Sequence, residues 1–240
     1  MTDGSLFPKD ELNRYCWSNA DRINGIIKRA VLEFQGLNRF QMLDQPTALD
    51  LELADRNVLY VIPYTAPWSW MNRSAQAYTD RLLTSIFKAY DLPEELPVVS
   101  SGYSMGGQAA LMYTLFGTRR ISACYANSPV CDLIAHFRER EDIPRTLVNA
   151  LIGSEASFET ELVRHSPLHR AGDLPDIPYM IVAGEADDQV NKAVHSDRFV
   201  ERMRQLGRNV RYDQLPDMRH WQITDYKVYR AYVDFLCEAG

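Results

Sequence analysis

The residues Gly102-Tyr103-Ser104-Met105-Gly106-Gly107 carry the pattern Gly-x-Ser-x-Gly. A serine in that pattern is a candidate nucleophile when it sits on a sharp strand-to-helix turn with its Oγ exposed. The flanking residues supply such a setting. Val98-Val99-Ser100-Ser101 is a short β-favouring run, and Gln108-Ala109-Ala110 continues into small residues with good helix propensity. Side chains at 102 and 106 would collide with the neighbouring strand and helix, which accounts for both glycines. A serine hydroxyl is a weak nucleophile near neutral pH, so it needs a base within hydrogen-bond reach and an acid to orient that base. The bland alternative is a Gly-rich turn whose serine merely caps the helix.

Acids gather in Gly184-Glu185-Ala186-Asp187-Asp188-Gln189-Val190, directly after an apolar run at 178–183. Spacing does not choose between Asp187 and Asp188, and either could instead cap a helix starting near Val190. Asp132, after an earlier run, is a further alternative. Of the five histidines, His220 alone follows the last apolar run, in Pro216-Asp217-Met218-Arg219-His220-Trp221. His136 falls in a charged stretch and His195 inside a predicted helix. His165 and His169 are four apart, but Pro167 between them spoils a helical metal pair. No metal or other cofactor is expected.

The elements that must position these groups follow a strand–helix rhythm. Apolar runs at 27–34, 57–62, 98–103, 121–125, 178–183 and 210–215 read as strands, continuous rather than alternating, as in parallel sheets covered on both faces. Helices are predicted around 48–54, over the stripe Tyr78, Leu82, Ile86 and Tyr90, over 190–206, and over 224–237 with Tyr226, Tyr229, Val233 and Leu236 on one face. Residues 1–26 are polar and irregular, with Phe7, Tyr15 and Trp17 as anchors. Residues 131–165 break the rhythm and read as a helical insertion, the cap of a single domain covering 1–240. The predicted fold is α/β, a mostly parallel central sheet flanked by helices, with its site beyond the carboxyl ends of the strands.

Composition narrows the function classes. The chain has 240 residues, 46% hydrophobic and 24% charged, which suits one soluble domain. The net charge of −6 argues against a nucleic-acid surface. No apolar run approaches the roughly 18 residues of a membrane span. The first 20 residues lack the basic start and apolar centre of a signal peptide. Four cysteines without framework spacing suggest free thiols in a reducing cytoplasm.

The order Ser104, acidic loop, His220 resembles the α/β-hydrolases, closest to their prolyl-oligopeptidase-like and dienelactone-hydrolase-like branches. The residues that carry this likeness are Gly102-Tyr103-Ser104-Met105-Gly106-Gly107, Ser166-Pro167-Leu168 ahead of Leu174-Pro175, Gly184-Glu185-Ala186-Asp187, and His220. It runs from about Ile27 onward, lacking two leading strands of the full fold and any propeller. The resemblance selects Asp187 as the acid and implies a Ser104–Asp187–His220 triad. Met218 and Arg219 replace the small residues usual before the histidine. An oxyanion hole would then use the Met105 amide and a second donor from Gln35-Gly36-Leu37, with Leu37 ahead of Gln35 and the Tyr64 hydroxyl as an alternative. Tyr64, Trp68, Trp70 and Tyr103 are the candidate substrate-binding residues, although Trp68 and Trp70 could equally be core.

The implied activity is serine hydrolysis through an acyl-enzyme. Without a propeller, a carboxylesterase cleaving small esters ranks first, a small prolyl-oligopeptidase-like peptidase or amidase second, and a non-catalytic ligand-binding protein last. The expected partner is a small ester or short peptide-like substrate. Oligomeric state is left open.

Overall fold

A computed structural model of the chain describes residues 5–39, 44–154 and 156–240. Among these, seven strands form one sheet: β1 (Cys16–Ser18), β2 (Arg29–Phe34), β3 (Val58–Pro63), β4 (Val98–Tyr103), β5 (Ala123–Asn127), β6 (Tyr179–Gly184) and β7 (Val210–Leu215). Their order is β1-β3-β2-β4-β5-β6-β7. All pairs are parallel except β1–β3, which is antiparallel. The six predicted strands are present to within a few residues. β1 was not expected. Its pairing is fixed by buried Asn19, whose side chain donates to the Asp50 and Val58 carbonyls and accepts from the Tyr60 amide.

Two layers of helices cover the sheet. On one face lie α2 (Arg73–Ala89), α3 (Met105–Phe116) and α7 (Ser196–Gln205), packed on Ala30, Leu32, Cys124 and Ile181. The other face carries α1 (Ala48–Asp55) and α8 (Tyr226–Glu238), packed on Val31, Tyr60, Val99 and Tyr125. The alternation of side chains across each strand explains why consecutive residues serve opposite layers. Asn72 caps α2 through the Ala75 amide, and a Thr47–Asp50 capping box starts α1. Residues 131–165 hold three short helices: α4 (Leu133–His136), α5 (Ile143–Leu151) and α6 (Phe158–Arg164). These bury a third cluster that includes Trp70, Met105, Ile143, Leu147 and Val190.

Two helices differ from expectation. α7 begins at Ser196 rather than near Val190, because side-chain oxygens of Asp187 and Asn191 accept nearby backbone amides and hold 187–193 in turns. In α8 the predicted stripe fails at its start. Tyr226 is 73% exposed, because it occupies the first turn just after the Asp225 cap, while Tyr232, Val233 and Leu236 form the buried face. At the amino end, Phe7 is buried and stacks on Tyr15 at 3.9 Å between ring centroids. Cys16, Cys124 and Cys131 are buried free thiols. Among the described residues no helix is long and apolar enough to cross a membrane.

Within β2, Val31 and Glu33 share a face. Glu33 is therefore carried beneath α1 and α8, where burial pushes its carboxyl up to about 7; the Ser101 and Tyr60 hydroxyls oppose that rise and Asp50 adds to it. The unfolded carboxyl releases its proton near 4.5. Between these values the native state holds a proton that the unfolded chain has lost, so stability falls as pH rises. The contribution is flat below 4.5 and again above 7. We expect the fall to be about 3 kcal/mol and Glu33→Gln to remove it, as read from urea titrations at pH 4 to 8. A variant that follows the wild-type profile would refute the burial penalty.

Candidate active site

Ser104 joins β4 to α3 with φ 58° and ψ −125°. A non-glycine residue in that region is strained by roughly 1–3 kcal/mol, which the surrounding packing must impose. The packing is visible. A Cβ on Gly102 would strike the Gly106 carbonyl, and one on Gly106 would strike the Phe34 carbonyl. The Ser104 amide donates to the Asn127 carbonyl at 2.8 Å, and its own carbonyl accepts from Gln108 at 3.1 Å. Although Ser104 stands at the N-cap position, its side chain makes no capping bond. The hydroxyl is left for other work, at the positive end of a 12-residue helix.

His220 Nδ1 lies 2.8 Å from Asp187 Oδ2. The other oxygen of Asp187 accepts the Gln189 and Val190 amides at 2.8 and 3.0 Å. Partial burial pushes the Asp187 carboxyl up, but the His220 hydrogen bond and these two amides outweigh it and hold the carboxyl below its ordinary value. An ionised acid oriented by two backbone donors is what a base-positioning residue requires. Asp188 is exposed and accepts from the Gln189 side chain. Asp132 caps α4 and pairs with Arg198 at 3.2 Å.

The loop bearing His220 is pinned from below. Met218 is fully buried under β6 and β7, and its carbonyl accepts the Ala186 amide at 3.2 Å, tying the base loop to the acid loop. This is what a methionine does at a position where the resembled family has a small residue. Gly184 touches the same loop, since a Cβ there would overlap the Met218 and Arg219 carbonyls. Gly184→Ala should therefore displace His220 and lower kcat by about 10²-fold, the scale of a misplacement near 1 Å. Far-UV circular dichroism should remain unchanged; a variant of wild-type kcat would show that the loop yields without cost.

Two residues outside the sequence expectation bring the base loop to Ser104. Asn127, at the carboxyl end of β5, accepts the Ser104 amide through its carbonyl and donates from Nδ2 to the Trp221 carbonyl at 2.7 Å. Trp221, next to His220, lies against Tyr103, next to Ser104, with ring centroids 5.0 Å apart. Asn127-Ser128-Pro129 follows the predicted strand at 121–125, the signal available for Asn127. Nothing marked Trp221.

Of the oxyanion candidates, Gln35, Tyr64 and Met105 adjoin one cavity and Leu37 does not. Gln35, Gly36, Tyr64 and Met105 line a space of about 270 Å³. Gly36 lies close to Ser104, since a Cβ there would stand 3.5 Å from the Ser104 Cβ. Leu37 packs on the third cluster beside Met105. The two tryptophans divide. Trp68 is partly exposed, donating from Nε1 to Asn38 at 2.6 Å with Arg145 over its ring. Trp70 is 1% exposed and donates to the Thr146 hydroxyl at 3.0 Å, so it supports the wall from within instead of forming it. Its φ of 43°, followed by 49° at Met71, turns the chain inward there.

Among the described residues one cluster gathers metal-ligating atoms. His136, Glu139 and His195 place one ligand atom each within 4.8 Å of one another. Glu139 Oε2 lies 2.7 Å from His136 Nδ1 and 2.9 Å from His195 Nε2. His195 Nδ1 accepts the Cys131 and Asp132 amides, so its proton sits on Nε2 and is donated to Glu139. An ion bound there would have to displace that proton and leave an imidazolate. The chemistry of the donors fits a hydrogen-bonded clasp between α4 and the start of α7. Burial pushes Glu139 up, yet the two imidazole bonds pull its carboxyl down to about 2. A hollow of about 690 Å³ beside Pro97, Ser122 and Pro178 lies at the amino ends of the strands, across the sheet from Ser104.

The sequence profile of the prolyl oligopeptidase family matches residues 88–239. No curated protein matches the chain by sequence. Among solved structures, the fold is similar to that of an acylaminoacyl peptidase in complex with Z-Gly-Gly-Phe-chloromethyl ketone, with a TM-score of 0.73 and 12% identity over 90% of this chain and 38% of that one. It is also similar to Porphyromonas gingivalis dipeptidyl peptidase 4, at 0.68 and 21% over 94% of this chain and 33% of that one. A Mycobacterium tuberculosis puromycin-hydrolyzing peptidase gives 0.67 and 16% over 89% and 34%. The chain thus spans about a third of the length of these proteins. The profile match covers more than half of the chain. The chain belongs to the prolyl oligopeptidase family of serine hydrolases, with the α/β-hydrolase fold of that family's catalytic domain.

Proposed function

We propose that this domain is a serine peptidase or amidase that cleaves short peptide-like substrates through an acyl-enzyme. The observation that carries the reading is the His220–Asp187 hydrogen bond of 2.8 Å, on loops tied to the strained Ser104 turn. Ser104 is the nucleophile, His220 takes its proton and returns it to the leaving amine, and Asp187 fixes the imidazole. The Met105 amide supplies one oxyanion donor, and the second comes from Leu37, Gln35 or the Tyr64 hydroxyl. The helices of 131–165 form the cap of a single domain, with Trp68 and Tyr103 facing substrate.

The sequence alone ranked a carboxylesterase first. The peptidase reading now leads, because the family and the similar structures named above are peptidases by description. A panel of aminoacyl-arylamides beside p-nitrophenyl esters tests the ranking. Arylamide turnover at matched acyl groups supports it, and cleavage of esters alone would restore the esterase. Failure of a fluorophosphonate to label wild-type protein would instead point to a non-catalytic binding protein.

A further inference from the structure

A second cavity, of about 570 Å³, opens beside the triad and runs beneath α1 and α8. Its mouth is formed by Tyr103 and Trp221, the neighbours of Ser104 and His220, and its depth by Glu33, Tyr60, Tyr125 and Tyr232. Gln35 and Arg39 border both this cavity and the one beside Met105.

Polar atoms in its wall lack partners. Glu33 Oε2, the Tyr125 hydroxyl and Asn127 Oδ1 make no hydrogen bond of ordinary geometry among the described residues, although the Ser101 and Tyr60 hydroxyls stand near Glu33 and the Asn127 side chain stands near Tyr125. Their residues are only 7%, 2% and 4% exposed. A buried polar atom is normally paired, because leaving it bare is costly. Three such atoms around one cavity mark a place that something else fills. Asn127 Oδ1 can only accept hydrogen bonds, and so can Glu33 once its carboxyl is ionised. The remaining surface is mostly aromatic, and ring faces attract cations electrostatically. The mouth already shows this preference, with the Arg39 guanidinium 5.9 Å from the centre of the Trp221 ring.

We propose that this cavity is a specificity pocket for an amine-bearing, positively charged group of the substrate, with Glu33 as its counter-ion and the aromatic rings around its carbon atoms. The acceptors take the ammonium protons, and the rings bury the chain that carries them. The proposal rests on the hydrolase reading only in calling the occupant a substrate group.

Binding of 4-phenylbutylamine, with 4-phenylbutanol as its neutral match, tests the pocket. Calorimetry on Ser104→Ala protein reads occupancy without turnover, and tryptophan fluorescence gives a second readout at Trp221. The amine should bind at least tenfold tighter than the alcohol, and Glu33→Gln should abolish that preference. Tyr125→Phe should weaken amine binding by a smaller factor. Equal binding of amine and alcohol, or neither binding, would overturn the proposal and leave a water-filled cavity. A preference that survives in folded Glu33→Gln protein would overturn the role of Glu33. Should that variant not fold, the amine-to-alcohol ratio on Ser104→Ala protein and the Tyr125→Phe result still decide. Fluorophosphonate labelling of wild-type protein reports the triad separately. Labelling without amine preference overturns the pocket alone, and amine preference without labelling overturns the hydrolase reading alone.

Discussion

Replacing Ser104 by alanine is expected to lower kcat by about 10⁶-fold and to abolish fluorophosphonate labelling, because the remaining groups can activate nothing in its place. His220→Ala should cost about as much. The double variant should be no worse than either single one, since base and nucleophile act as a unit. Asp187→Asn tests the acid with its geometry kept. The asparagine oxygen can still accept the Gln189 and Val190 amides, but its amide nitrogen would face His220 Nδ1 and favour the wrong tautomer. A loss of about 10⁴-fold follows. Steady-state kinetics on one arylamide and one ester, with intact-protein mass spectrometry of the labelled species, measure all four. Retention of a tenth of wild-type kcat by His220→Ala would remove that histidine from the mechanism.

Trp70→Ala carries the largest expected loss of stability. Trp70 is 1% exposed in the cluster that joins Met105 of α3 to Ile143 and Leu147 of α5. Truncation removes a large ring and strips the Thr146 hydroxyl of its donor, for a total of about 3–5 kcal/mol. In a chain of this size that lowers the melting temperature by roughly 10 °C. Trp68→Ala, on a partly exposed ring, should cost less than about 1 kcal/mol and act on KM. Calorimetric melting of both variants measures the contrast. Equal, small losses would show that the two rings share a surface role.

That contrast also marks what the sequence could carry. Two tryptophans two residues apart in one loop have the same type and similar neighbours. Only the left-handed backbone at Trp70 and Met71 sends one of them inside, and no pattern of residue types announces it. Glu33 was hidden differently. It sits in an apolar run, and the tyrosines around it, Tyr60, Tyr125 and Tyr232, come from three separate elements. The strands and the order of Ser104, Asp187 and His220 were legible because apolar runs and chain order are local or linear properties. The choice of Asp187 over Asp188 needed the family likeness first, and the 2.8 Å contact to His220 afterwards. β1 escaped notice because three residues, held by one buried asparagine, are too few to make a periodic signal.

Asn127 grips the Ser104 amide with its carbonyl and the Trp221 carbonyl with its side chain. The proposed nucleophile and base are thus referenced to a single point on β5. A small slide of that strand moves both in common, so their separation is insensitive to drift while the aromatic cavity behind them is not. Repacking around Tyr232 would then retune the proposed pocket while leaving Asn127, which holds both loops, in place. Evolution of new specificity on this scaffold has a route that leaves the chemistry running throughout.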